Sequence, residues 1–161
     1  MDPAFWGHST WIYLHSLTFN YPITPTSEDK TKMYNYFKQL PYFLPCASCA
    51  KSFELYFNYI PITEYLDDIY GLTFWLYTMH FIVNKKLKKK NMNFSSVVKM
   101  YLAHKTNCTT LPSNKNQCVK STTPENPNKH LEFQSIATQK YSDKTQLYVA
   151  KLLKDYPSLS P

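Results

Sequence analysis

Two cysteines three residues apart, Cys46 and Cys49, follow directly on Pro45. A C-x-x-C at a helix start can close a small, reducible disulfide. The positive end of the helix dipole stabilises the N-terminal thiolate, which lowers its pKa and makes it a competent nucleophile and leaving group. The motif alone leaves three chemistries open: thiol–disulfide exchange, zinc ligation and inert thiols. Zinc needs four ligands, and the other cysteines, Cys108 and Cys118, are far apart with no second C-x-x-C, which weakens the metal reading. A thioredoxin-like reading needs a strand ahead of the motif, and none is expected there.

Two further segments mix polar and apolar residues at helical spacing. Gly7, Trp11 and His15 are four apart, on one stripe that offers close backbone approach, an aromatic surface and a hydrogen-bonding ring. His80, Val83, Asn84 and Leu87 share another face. A histidine and an asparagine interrupting an apolar face are costly without partners, which points to a buried polar ligand. Lys85 and Lys86, one turn on, could neutralise a pyrophosphate. The bland alternatives are a packed core histidine in the first segment and a solvated lysine run in the second.

Composition limits what such a ligand could be. The 161 residues include only two glycines, so neither of the common glycine-rich phosphate cradles can be assembled. A bound nucleotide must be held by side chains and helix ends. A hydrophobic fraction of 43% supports a real core and excludes wholesale disorder. The net charge is +7, and every basic residue is a lysine. Arginine, the usual reader of bases and bidentate binder of phosphate, is missing. Nine lysines and no acid lie between Ile69 and Pro124, so that span carries +9 and the remainder −2. No secretory signal is recognisable at the start. The longest uncharged apolar stretch, Ile69 to Asn84, is short for a bilayer span. A soluble cytosolic protein is expected, a setting in which C-x-x-C is more often catalytic or metal-binding than structural.

The elements needed to position these residues read as helices. The first covers Ala4 to Asn20, with Asp2-Pro3 at its start; Thr26 to Asp29 caps a second that runs to about Leu40. Pro45 opens a third, from Cys46 to Tyr59. A fourth starts between Thr63 and Asp68 and continues to about Lys90, with Leu72, Trp75, Leu76, Met79, Val83 and Leu87 on its apolar side. Asn93 caps a fifth, to about His104. Thr106 to Lys129 reads as loop or linker. His130 to Tyr156 recovers helical character, with Leu147, Ala150, Leu152 and Leu153 clustered.

In this order and spacing the three segments resemble one family, the FAD-linked sulfhydryl oxidases of the Erv/ALR type. The resemblance rests on Gly7, Trp11, Leu14 and His15, on Tyr21-Pro22, on Pro45, Cys46 and Cys49, and on His80, Val83, Asn84 and Leu87, and covers roughly Phe5 to Ala103. Phe81 stands where the family usually has asparagine, and Leu44 where cellular members often have tyrosine. Tyr77 and Phe94-Ser95 replace a structural cysteine pair of many cellular members, so that staple is missing. The stripped core looks more like members from large cytoplasmic DNA viruses.

The resemblance implies an all-α fold, a four-helix bundle with a short fifth helix: an FAD-binding core over residues 1–105 and a C-terminal extension over 106–161. It implies a homodimeric thiol oxidase that holds FAD and forms disulfides in dithiol client proteins, or in a thioredoxin-like carrier. Electrons would pass from the client to Cys46–Cys49, with Cys46 the interchange sulfur and Cys49 nearer the flavin, then to FAD and dioxygen, giving hydrogen peroxide. Gly7, Trp11 and His15 would line the cofactor from the first helix, and His80, Val83, Asn84 and Leu87 from the fourth. Lys86 would meet the phosphates, and Trp75 and Tyr101 would pack on the rings. Cys108 and Cys118 would be a shuttle disulfide or a structural loop closure. No metal, nucleic-acid partner or membrane span is expected; host cytoplasm, and the virion for a viral member, are the expected locations. A reading from another class is a non-catalytic helical module whose lysine face binds acidic partners or nucleic acid.

Overall fold

The computed structural model describes residues 1–110, 116–120 and 128–159, the two strands among them by backbone pairing alone. The elements are α1 (Pro3–Phe19), α2 (Ser27–Phe43), α3 (Ala47–Tyr59), a 3-10 turn (Ile62–Tyr65), α4 (Ile69–Lys86), α5 (Phe94–Leu102), β1 (Thr106–Thr110), β2 (Asn116–Lys120), α6 (Lys129–Asp155) and a final 3-10 turn (Pro157–Leu159). Among the described residues the fold is all-α apart from the pairing of β1 with β2.

Local chemistry sets the helix starts. The Asp2 side chain accepts from the Ala4 N–H, with Pro3 at the first helical position. Thr26 and Asp29 form a reciprocal capping box. Asn93 caps α5 through the Ser96 N–H. The expected fourth helix begins later than the pattern suggests. A 3-10 turn fills Ile62–Tyr65, and Asp68 caps α4 by accepting from the Gly71 N–H at 2.7 Å. α4 also ends earlier, at Lys86. Lys88 has φ 54°, and the Lys88 and Lys89 N–H groups bond back to the Lys85 and Asn84 carbonyls. That is the left-handed closure of a helix C-terminus, with lysine where glycine is favoured. α2 runs on through Pro41 to Phe43, three residues past its expected end.

α4 is the central helix, packed against α1, α3 and α6; α5 lies against α1 and α6, and α2 against α3. Leu72, Trp75, Leu76 and Met79 of α4 are fully buried. Such side chains each contribute about 1.5–3 kcal/mol on burial, so α4 anchors the core. The expected apolar cluster of α6 is corrected. Its buried stripe is Phe133, Ala137, Tyr141, Thr145 and Leu152, while Leu147 is 73% exposed and Ala150 is exposed. The stripe is led by tyrosine, threonine and alanine, which hydropathy alone does not pick out.

The stretch expected to be loop contains an antiparallel pair, β1 with β2, in which Cys108 stands opposite Cys118. Residues 111–115 and 121–127, also expected to be loop, lie outside the described residues. Among the described residues no helix is long and apolar enough to cross a membrane.

Candidate active site

Cys46 and Cys49 form a disulfide, with Cα atoms 5.2 Å apart. Cys46 has extended backbone (φ −150°, ψ 108°) and is the N-cap of α3. Its Sγ accepts the Cys49 N–H at 3.2 Å and lies 3.3 Å from the Ser48 hydroxyl. Pro45 ends the connector and fixes the entry of the chain. The sulfurs therefore sit at the positive end of α3, which favours the negative charge released when the bond opens.

A cavity of about 600 Å³ opens between α1, α3 and the C-terminal half of α4. Cofactor sites fall in the range of roughly 300–1,000 Å³. Cys49 and Ser48 lie in its wall, whereas Cys46 does not. Gly7 and Trp11 line it from α1, and His80, Val83, Asn84 and Lys86 from α4, with Leu87 just beyond. Seven of the expected cofactor-facing residues thus share one wall with the redox sulfur. Trp11 stacks on His80, with centroids 4.0 Å apart and planes 4° apart. Lys86 donates to the Ser52 hydroxyl at 2.6 Å, which ties the end of α4 to the C-x-x-C helix. Asn84 donates to the Asn91 side-chain carbonyl at 3.1 Å, leaving its own carbonyl oxygen outside that bond.

The other three are not in the wall. His15 is 2% exposed and lies behind His80, with its Nε2 3.1 Å from His80 Nδ1. Tyr101 stacks on Phe19 and approaches the His15 ring from the far side. Trp75 belongs to the core. Its indole N–H donates to the Ile60 carbonyl at 2.9 Å, and its ring meets Phe37 edge-on. Five residues before His80, Trp75 is rotated about 140° from it around α4, toward the opposite side of the helix.

The hydrogen-bond accounting assigns the tautomers. His15 Nδ1 is buried and has no partner among the described residues. An unpaired lone pair is tolerated better than an unpaired N–H. His15 therefore carries its proton on Nε2 and donates it to His80 Nδ1. His80 then holds its proton on Nε2, as a donor available to a ligand. Burial, with the neighbouring His80 adding to it, pushes His15 down to about 3. Burial first, then Lys89 and His8, pushes His80 down to about 4. Both rings are neutral near pH 7.

The sequence pattern missed Trp6, Leu40, Leu44, Ser52, Phe53 and Lys89, which also line the cavity. Ser52 and Phe53 were within reach of the same logic, since they follow Cys49 by three and four positions on one helical face.

Known proteins match the stretch of chain that holds most of these residues. The family model described as Erv1 / Alr family matches residues 8–102. The chain belongs to the Erv1 / Alr family. It is 33% identical over 99 residues to a probable FAD-linked sulfhydryl oxidase of Acanthamoeba polyphaga mimivirus, covering 61% of this chain and 69% of that protein. It is 37% identical over 84 residues to the mitochondrial FAD-linked sulfhydryl oxidase ERV1 of Saccharomyces cerevisiae, covering 52% of this chain and 43% of the yeast protein. The solved FAD binding domain of Erv1 from Saccharomyces cerevisiae superposes with a TM-score of 0.59 at 32% identity, covering 63% of this chain and 94% of that domain. The Erv1 / Alr match ends at Leu102, so α6 lies beyond it although α6 is part of the packed core.

Proposed function

We propose that this chain is an FAD-linked thiol oxidase that makes disulfides in dithiol proteins. The observation that carries this reading is the placement of Cys49 in the wall of a cavity also lined by Trp11, His80, Asn84 and Lys86. The residues fit the cofactor. Trp11 and His80 give a flat aromatic surface, and the His80 Nε2–H is a donor on that surface. A Cβ on Gly7 would meet nothing within 4 Å, so the space beside it is open. Lys86 and Lys89 supply positive charge for two phosphates. His15 and Tyr101 act from behind, by fixing the His80 ring.

A client thiolate attacks Cys46 Sγ, the sulfur outside the cavity wall. The Cys46–Cys49 bond breaks, a client–Cys46 disulfide forms, and Cys49 leaves as a thiolate beside the cavity. The second client thiolate then attacks the mixed disulfide, and Cys46 is released. The client loses two electrons and two protons, and the cysteine pair holds the electrons. FAD held in this cavity would supply a two-electron acceptor that dioxygen can reoxidise, so that overall one dithiol and one O2 would give one disulfide and one hydrogen peroxide.

Residues 1–105 form the catalytic core, and 106–161 an extension whose hairpin carries Cys108 opposite Cys118 as a relay between client and Cys46. The enzyme works as a homodimer in host cytoplasm or virion, on dithiol client proteins or a thioredoxin-like carrier.

Purified protein is expected to be yellow, with one FAD per chain, and to consume oxygen with dithiothreitol. Cys46→Ser and Cys49→Ser should each abolish uptake while retaining flavin. Colourless protein that takes up no FAD on reconstitution would instead favour a non-catalytic lysine-rich module. Replacing Cys108 and Cys118 by serine should slow a protein client and spare dithiothreitol; unchanged turnover of the protein client removes the relay.

A further inference from the structure

Resting on the oxidase reading, we infer that the lysine run closing α4 selects acidic dithiol clients at the mouth of the redox site. Lys85, Lys86, Lys88, Lys89 and Lys90 lie within six consecutive positions, and all but the half-buried Lys85 are exposed. None of the five forms a salt bridge to an acid among the described residues. The run is not remote from the sulfurs. Lys86 reaches Ser52 on the C-x-x-C helix, and Lys86 and Lys89 share the cavity wall with Cys49.

The cofactor leaves much of this charge uncompensated. A pyrophosphate carries two negative charges, which Lys86 and Lys89 can match from the wall. Lys85, Lys88 and Lys90, outside that wall, then keep about three positive charges at the same end of α4, which Lys86 ties to the C-x-x-C helix. The nearby Glu54 of α3 is one acid against Lys51 on the same helix. A field of this sign does two things. It raises the encounter rate of anionic partners by roughly 10–1,000-fold at low salt. It also favours the thiolate, the attacking form of the client. The accessible sulfur has exposed apolar neighbours as well: Tyr42 and Phe43 are 92% and 76% exposed just ahead of Pro45. The occupant is a protein segment bearing a dithiol flanked by Asp or Glu. Nucleic acid is disfavoured, because the charge surrounds a thiol-exchange site and contains no arginine.

The test uses the flavin-loaded full chain and three dithiols: neutral dithiothreitol, and two C-x-x-C peptides identical except for flanking glutamates or flanking lysines. At about 20 mM salt the glutamate peptide should show kcat/KM at least about tenfold above the lysine peptide, converging as salt rises toward about 1 M. The K88E/K90E variant should abolish or reverse the preference with dithiothreitol turnover unchanged. Should that variant misfold, K88Q/K90Q should reduce the preference several-fold. Normal dithiothreitol turnover with equal, salt-insensitive kcat/KM for both peptides overturns this inference alone. So does a single-stranded oligonucleotide that binds through these lysines while the peptides remain equal. Absence of dithiothreitol turnover overturns the oxidase reading and this inference with it.

Discussion

His15 Nε2 and His80 Nδ1 are 3.1 Å apart, a bond that requires one nitrogen to keep its lone pair. Both rings cannot be protonated while it persists. This pair joins α1 to α4 directly behind the cavity wall, and Trp11 stacks on its outer member. Falling pH should therefore weaken the fold through this pair.

The direction follows from linkage. Folded His15 and His80 titrate at about 3 and about 4, against 6.5 for an ordinary histidine. As pH falls below about 6.5 the unfolded chain takes up protons that the folded chain refuses, so stability is lost with falling pH. The full contribution is present above pH 6.5 and disappears progressively toward the folded values. Urea midpoints should fall between pH 6.5 and 5, a window above most carboxylate titration. The slope should be at most about 1.4 kcal/mol per pH unit for each histidine. His80→Gln should flatten it; the same slope in that variant would remove the pair as its cause.

The two glycines should respond in opposite ways, Gly7 through the cavity it lines and Gly71 through packing. Nothing in the protein lies within 4 Å of a Cβ there, and Gly7 is inside α1. Gly7→Ala should stabilise the flavin-free chain by about 0.5–1 kcal/mol through helix propensity. Flavin retention should fall, and Gly7→Leu should fill the cavity and abolish it. Measured together, the thermal midpoint of the apoprotein and the FAD-to-protein ratio should move apart. Full flavin loading of Gly7→Leu would mean that the cofactor does not use this wall.

At Gly71 the restraint is the protein itself. A Cβ would come within 2.6 Å of both the Tyr65 carbonyl oxygen and Tyr141 Cζ. One neighbour is backbone, and the other is a fully buried ring held by its hydroxyl to Asp68 at 2.9 Å. Neither can yield cheaply. Gly71→Ala should destabilise by about 1–3 kcal/mol, the usual range for overpacking. Tyr141→Phe should not rescue it, since Cζ and the Tyr65 carbonyl remain. Chemical denaturation of the single and double variants checks both statements.

Where one local group fixes an element, the sequence was readable. Asp2-Pro3, Thr26 with Asp29, Cys46 after Pro45, and Asn93 each mark a helix start by a specific side-chain bond. The cavity stripe was readable because polar residues at helical spacing on an apolar helix need a common partner. Trp75 shows the limit: aromatic type suggested a flavin neighbour, but its position around α4 turns it into the core. The α6 face was hidden for another reason. It is buried through Ala137, Tyr141 and Thr145, whose value depends on what they meet: the Tyr65 hydroxyl bonds Thr145 at 2.8 Å. Lys88 likewise adopts a left-handed backbone that its side chain does not advertise.

Asp68 couples α6 to the helix that carries His80. One carboxylate oxygen caps α4 at the Gly71 N–H, and the other accepts from Lys140 at 2.6 Å and from Tyr141. The three bonds are unequal. The Lys140 side chain is 51% exposed, so its ion pair is screened and worth under about 1 kcal/mol. Losing the cap costs about 0.5–2 kcal/mol. A buried Tyr141 hydroxyl left unpaired adds about 1–3 kcal/mol. Asp68→Ala should therefore destabilise by several times as much as Lys140→Ala, and Asp68→Asn should lie between them because its carbonyl oxygen can keep one of the bonds. Stabilities of the three variants at pH 7, measured by urea unfolding, decide the matter. Equal losses for Asp68→Ala and Lys140→Ala would mean that charge, not the cap and the tyrosine, holds α6 against the start of α4.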